Sequence, residues 1–269
     1  TDVPVYLTGA WQDEQTGSRF ASMIDSFDAS PHSRAIVFNG HHPDGYSPGV
    51  VLRWYEFLCF YVAKRIPELP EILRAMAPLL FKDYFGYEAV LEADRFSHHG
   101  DDFEAALAEY EAEPRVRFLF ESGAGHDVLG AAGHRFEAFA DTFPPAGVVG
   151  RRWWLSHDGT LSDAAPAEDG EARYEDDVDA GALGYSIEIL HDLDRFTQPE
   201  VPITWTRFEP QHRVAVESAP LTEPLVIAGF GHVDLWLQPG TADTAVQATL
   251  LEVRPDGYEQ RVQSGWHRP

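Results

Sequence analysis

Two short apolar runs near the start of the chain bracket a stretch with a different rhythm. Val3-Pro4-Val5-Tyr6-Leu7-Thr8-Gly9 and Arg34-Ala35-Ile36-Val37-Phe38 are apolar without strict alternation, the pattern of parallel strands covered on both faces. Between them Phe20, Met23, Ile24 and Phe27 recur at helical spacing within residues 16–27. Residues 1–48 therefore predict strand, helix, strand and loop, two strands of an α/β sheet with their crossover.

Ser47-Pro48 reads as a helix start, with serine as cap and proline at the first helical position. The helix predicted over 49–66 is apolar almost all round, from Val50 through Trp54, Phe57 and Tyr61, so burial is expected, with Pro67 as the stop. Residues 68–112 predict two or three further helices, broken by Pro70, Pro78 and Gly86, the last over 101–111 with an acidic cap. A third buried strand, 116–120, is expected to join the first sheet.

Near Pro144-Pro145 the pattern changes. Short strand-like runs follow at 152–156, 203–208, 225–228, 233–238 and 246–253, separated by turn residues such as Asp158-Gly159 and Pro255-Asp256-Gly257, the latter read as a hairpin. Evenly spaced strands with few helical stretches predict an antiparallel sandwich or jelly roll. The acidic stretch 163–179 is expected to be a solvated loop across its surface. The strand pattern runs on to Pro269 without a terminator, an end consistent with a sandwich cut short.

Composition bounds the function. At 269 residues, 44% hydrophobic and with seven tryptophans, the chain can build one large or two medium cores. No apolar run is long enough to cross a membrane as a helix, and no signal peptide is visible, which leaves cytoplasm and secretion both open. A net charge of −24, from 20 basic and 44 acidic residues, argues against nucleic acid or an anionic membrane as partner. Lys64 and Lys82 are the only lysines, which fits a salt-adapted surface but better a GC-biased genome. The single cysteine, Cys59, lies in an apolar stretch and reads as an inert buried thiol.

The candidate chemistry is an acid and a histidine. Asp13 sits in the turn after the first strand, and Asn39-Gly40-His41-His42 follows the second. Open parallel sheets place their chemistry at that edge of the strands. A histidine base needs an ionised carboxylate on one ring nitrogen while the other takes a proton, so Asp13 with His42 is the expected pair. Glu14 is the substitute if the register slips by one, and His41 is the competing base. The bland alternative is that Asp13 merely caps the following helix. Trp11 and Gln12 flank the acid and are candidate substrate contacts, with core packing of Trp11 as the alternative. Metal readings of His41-His42 with Asp44, or of His98-His99 with Asp101-Asp102, are weaker, because adjacent side chains on an extended loop diverge and neither set has zinc-site spacing. No metal and no cofactor is expected. Asp243 reads as a turn former. The chain is read as containing no Gly-x-Ser-x-Gly to supply a nucleophile, so the nucleophilic serine is expected on sequence preceding Thr1.

With these residues in view, the chain resembles the CocE/NonD hydrolases, the cocaine-esterase and X-prolyl dipeptidyl-peptidase family. The resembling segments are 3–13, where the family has V-P-x-L-x-x-G-x-x-D, and 37–42, where it has a strand and a turn ending in the catalytic histidine, whose spacing aligns with His42. Residues 152–166 follow Y-Y-L-x-x-x-G-x-L, and 218–257 follow A-P-L…G, a strand, D-T, then L-x-E/D-V-x-P-D-G, the most specific block. The resemblance implies the C-terminal part of an α/β-hydrolase catalytic domain over 1–145, with a helical insertion at about 66–112, followed by a jelly-roll β-sandwich over 146–269. It implies a serine hydrolase of esters or amides, Asp13 and His42 as triad acid and base, and a nucleophile and oxyanion donors upstream. The substrate would be a small ester, an amide or a short peptide; ester, prolyl peptide and β-lactam or amino-acid ester stay open. The insertion is longer than in the simplest members, which puts the shape of the substrate pocket in doubt. The competing class is a non-catalytic jelly-roll binding module on a remnant hydrolase domain.

Overall fold

The computed structural model describes residues 2–13, 16–120, 132–177 and 208–269. Strands β1 (Val5–Ala10), β2 (Ser33–Phe38) and β3 (Val116–Phe120) lie parallel and adjacent in that order, and β4 (Phe136–Ala140) completes the sheet antiparallel to β3. Every residue of β2 is buried, as the unbroken apolar run requires of a strand covered on both faces. Its alternate side chains part to opposite sides. Ala35 and Val37 join Val116, Phe118 and Phe120 against Ala21, Ile24 and Phe143, while Ile36 and Phe38 join Ala10 and Leu119 against Val50. Each fully buried apolar side chain here contributes about 1.5–3 kcal/mol, so β2 is the spine of the molecule. The fourth strand was not foreseen: Phe136-Glu137-Ala138-Phe139-Ala140 is short and half exposed, and its place is set by pairing with β3.

The crossover between β1 and β2 is helical over Ser18–Phe27, but as a 3₁₀ segment rather than the α-helix expected over 16–27. Burial explains the difference. Ala21 and Ile24 are buried and Phe27 is half buried, a spacing of three that matches three residues per turn. Met23, counted in the α-helical stripe, falls off that row and is exposed. Gly9 lets the segment dock, since a Cβ there would sit 2.0 Å from the Phe20 ring.

On the other face, α1 (Pro48–Leu58) continues as a π-helical turn, Cys59–Ala63, and ends at Lys64, whose φ of 52° is left-handed. The expected burial all round does not hold. Trp54 and Val62 are exposed, while Arg53 and Glu56 are buried as an ion pair at 2.5 Å. Glu56 also accepts from Arg95 at 2.7 Å, and Arg95 pairs with Glu113 at the end of α3 (Phe103–Ala112). The π turn buries Cys59, and that burial raises its thiol pKa. In α2 (Glu71–Phe85), Pro78 lies inside a continuous helix instead of breaking it. The missing N–H costs about 3 kcal/mol, offset by burial of Ala77 and Phe85 and by the Arg74–Asp94 pair. Gly86, at a φ of 77°, caps its end.

The C-terminal part is β-rich. Strands β5 (Trp154–Leu155) and β6 (Leu161–Ser162) form one small antiparallel sheet, and β7 (Val246–Val253) with β8 (Glu259–His267) forms the expected hairpin around Asp256-Gly257. The runs at 225–228 and 233–238 form no ladder, and Val226, Phe230 and Trp236 are exposed. Alternation alone does not make a strand where no partner among the described residues supplies hydrogen bonds. The run at 203–208 lies outside the described residues except for Phe208. Residues 163–177 are exposed and irregular, as read, and 178–179 fall outside the description. No helix of the described residues is long and apolar enough to cross a membrane.

Candidate active site

The loops leaving β1 and β2 run side by side because backbone pairing continues past both strands. Trp11 N–H donates to the Phe38 carbonyl at 2.8 Å and Gln12 N–H to that of Gly40 at 3.1 Å. This alignment carries Asp13 to the second loop, where its Oδ2 lies 2.9 Å from Nδ1 of His42. Asp13 Oδ1 accepts the Thr16 N–H at 2.7 Å, so the capping contact and the histidine contact use different oxygens of one carboxylate. The acid side chain is 7% exposed and the histidine 45%. A buried carboxylate thus orients one ring nitrogen of an imidazole whose other side faces outward.

The competing histidine is occupied otherwise. His41 is the first residue of a capping box with Asp44: its backbone N–H donates to Asp44 Oδ2 at 2.7 Å, and its side chain accepts from the Asp44 backbone. Asp44 is buried beneath the turn, away from a metal-ligand role beside His42. Gly40 admits it, since a Cβ there would lie 2.3 Å from the Asp44 carboxylate. Nearby, burial raises the Tyr87 hydroxyl pKa to about 12, with the Asp44 charge adding to the effect. His41-x-x-Asp44 has the spacing of a capping box but not its usual Ser/Thr and Glu/Gln residues, so the pattern is a weak signal in the sequence.

Trp11 packs between Phe20 and Phe143, at ring-centroid distances of 6.0 and 5.8 Å. Gln12 is buried and bridges three segments. Its Oε1 accepts the Gly40 N–H at 2.7 Å, and its Nε2 donates to the Val262 carbonyl on β8 at 2.8 Å. Gln263 reciprocates by donating to the Trp11 carbonyl at 2.7 Å. The C-terminal hairpin therefore grips the acid loop, a contact between residues 250 apart in sequence that no local pattern signals. Replacing Gln12 by leucine orphans the buried Gly40 N–H. The expected loss is about 1–3 kcal/mol of stability, together with faster hydrogen exchange at the Gly40 amide; unchanged exchange would show that the bridge is not holding that loop. Glu14 lies outside the described residues.

Contrary to expectation, the chain does hold the letters of a nucleophile motif. Gly45-Tyr46-Ser47-Pro48-Gly49 does spell Gly-x-Ser-x-Gly. A nucleophile elbow needs a strained strand-to-helix turn that exposes the serine. Ser47 instead follows a 3₁₀ turn (His42–Tyr46), holds an ordinary extended conformation (φ −61°, ψ 156°) as the cap of α1, and is 5% exposed. The letters match and the setting does not.

The molecule is thus a mixed α/β protein with an acid–histidine pair at one sheet edge and a β-rich C-terminal part. Residues 109–269, more than half of the chain, match the model of the X-Pro dipeptidyl-peptidase C-terminal non-catalytic domain, and the chain belongs to that family. The match fits the C-terminal part of a CocE/NonD-type protein and contains two of the four resembling segments, 152–166 and 218–257. It begins inside α3, so Asp13 and His42 both precede it. No curated protein and no solved structure matches the chain.

Proposed function

We propose that the chain is the C-terminal portion of a serine acyl hydrolase, of the X-Pro dipeptidyl-peptidase or esterase type, in which Asp13 and His42 are the acid and base of the triad. The observation that carries this is the 2.9 Å contact between a buried carboxylate and a half-exposed imidazole at the carboxyl ends of adjacent parallel strands. In this reading residues 1–145 complete an α/β-hydrolase domain with its insertion at about 66–112, and 146–269 form a jelly roll. The serine and the oxyanion donors come from a preceding part of the same protein.

The chemistry follows from the geometry. Nδ1–H of His42 donates to Asp13, leaving the lone pair on Nε2 to take the serine proton as Oγ attacks the substrate carbonyl. The imidazolium, stabilised by the Asp13 charge, returns that proton to the departing alcohol or amine as the acyl-serine forms. Water then attacks the acyl-serine, His42 takes its proton, and the acid product leaves as the proton passes back to the serine. No cofactor enters these steps.

The word non-catalytic in the matched domain's description favours a second reading, a binding module on a remnant hydrolase sheet. That description covers residues from 109 onward and does not reach the Asp13–His42 pair. A fluorophosphonate probe separates the readings. The 1–269 chain alone should label at no serine, Ser47 included, whereas the protein extended upstream should label at one serine, more slowly after His42→Ala. Stoichiometric labelling within residues 1–269 would overturn the assignment of the nucleophile, and an unreactive extended protein would favour the binding module.

A further inference from the structure

Adjacent histidines diverge on an extended segment, but His98 and His99 are not on one. They occupy a 3₁₀ turn, Ser97–His99, that leads into α3, and their ring centroids lie 4.1 Å apart. Glu109, on α3, reaches back to both: its Oε2 is 2.9 Å from Nε2 of His98 and 2.6 Å from Nε2 of His99. The start of that helix is fixed by Asp102, whose carboxylate accepts the Ala105 N–H at 3.0 Å. Asp102, the acid that the sequence pattern grouped with the histidines, thus serves as a cap, and Glu109 takes its place. Three donor atoms, two imidazole nitrogens and one carboxylate oxygen, lie within 4.8 Å of one another.

The hydrogen-bond pattern around His98 calls for a positive species in this gap. Its Nδ1 lies 3.1 Å from the Arg95 carbonyl, which can only accept, so Nδ1 carries the hydrogen. A neutral ring then presents the Nε2 lone pair to Glu109 Oε2, which also only accepts. The His99 contact can be met by an ordinary N–H; the His98 contact needs an added positive charge. A proton on His98 meets that need alone, whereas a divalent cation meets it while taking both imidazoles and the carboxylate as ligands. The Arg95 carbonyl is then the outer partner that ligating histidines almost always have, fixing tautomer and ring orientation.

We propose that His98, His99 and Glu109 form a binding site for a divalent transition-metal ion, zinc foremost, through the two Nε2 atoms and one carboxylate oxygen. Two histidines and a glutamate are an established zinc donor set, with water in the fourth position. Zinc bonds of about 2.0–2.2 Å hold tetrahedral donors roughly 3.4 Å apart. The Glu109 carboxylate must therefore draw back by less than an ångström, which its 46% exposed side chain permits. The ion would staple the 3₁₀ turn to α3 within the helical insertion. Nothing in this assignment rests on the hydrolase reading.

Calorimetric titration of the chelator-treated 1–269 chain with Zn²⁺ tests it, with Co²⁺ as a spectroscopic substitute. The expected result is a saturable step of one ion per chain and tetrahedral Co²⁺ absorption bands. The step should weaken at least about 10-fold in each of His98→Ala, His99→Ala and Glu109→Gln, and should persist in the His41→Ala/His42→Ala double variant. Zinc should raise the unfolding midpoint of the unsubstituted chain and leave that of Glu109→Gln unchanged, by mass action on the folded state. Absence of a one-ion step, or a step that survives in the His98→Ala/His99→Ala double variant, would overturn the proposal.

Discussion

His42→Ala and Asp13→Asn, each introduced into the protein that carries the nucleophile, are expected to lower kcat/KM by about 10³-fold or more. That factor corresponds to roughly 4 kcal/mol of lost transition-state stabilisation, far more than an exposed ion pair is worth. Its size comes from what each residue does as charge moves. In the proposed triad, nothing accepts the serine proton once His42 is gone. With asparagine at 13 the amide N–H faces Nδ1 and holds the ring in the wrong tautomer, and the charge that stabilises the imidazolium is lost. Stability should change little, because His42 is half exposed and an asparagine oxygen can still accept the Thr16 N–H. Thermal unfolding of each variant alongside the kinetics separates catalysis from collapse. His41→Ala should be mild in turnover, since His41 contributes a turn contact and leaves the Asp13–His42 contact intact. A dead His41→Ala beside an active His42→Ala would show that the histidines have been assigned in the wrong order.

How much of this was legible in the sequence depended on whether the determining contacts were local. The strands at 5–10, 33–38 and 116–120 declared themselves because continuous apolar runs have few other uses. Asp13 and His42 could be paired in advance because parallel neighbours with short crossovers bring the carboxyl ends of their strands together. The hairpin of β7 and β8 was equally local, its turn written in Asp256-Gly257. What failed was long-range or competitive. The 16–27 stripe fits both 3.6 and 3.0 residues per turn over so short a span, and only burial of Ala21, Ile24 and Phe27 decides between them. Pro78 stops a helix only when nothing beyond it holds the chain in line. The apolar runs at 225–228 and 233–238 have strand composition, but strand formation is a property of a pair. Gln12 beside Val262, and Glu109 beside His98, join positions that share no period, so no spacing could announce them.

Glu56→Ala is expected to destabilise the fold by about 3–5 kcal/mol, the largest single-residue stability loss predicted for this chain. Glu56 and Arg53 are both about nine-tenths buried on α1, where the apolar pattern forecast only hydrophobic contacts. Glu56 accepts from Arg53 through Oε1 and from Arg95 through both oxygens, at 3.1 and 2.7 Å. Arg95 in turn pairs with Glu113, which lies 3.8 Å from Arg117 on β3, and Arg117 pairs with Glu137 on β4 at 3.0 Å. The carboxylate therefore neutralises two guanidinium groups and ties α1 to the insertion and to the far edge of the sheet. Removing it leaves Arg53, buried, with the exposed Glu92 as its one remaining counter-charge among the described residues. The cost comes chiefly from that uncompensated charge, rather than from the net worth of the pair. Glu56→Gln, which keeps an acceptor but not the charge, should fall between the two. An exposed pair gives the contrast: Asp163→Ala breaks the Arg151 contact between side chains 44% and 65% exposed and should cost no more than about 1 kcal/mol. Urea unfolding of the three variants at neutral pH measures the difference, with equal slopes required for the comparison. If Glu56→Ala costs no more than Asp163→Ala, the buried network is not what holds α1 to the sheet, and the apolar contacts of Val50 and Phe57 must carry that junction alone.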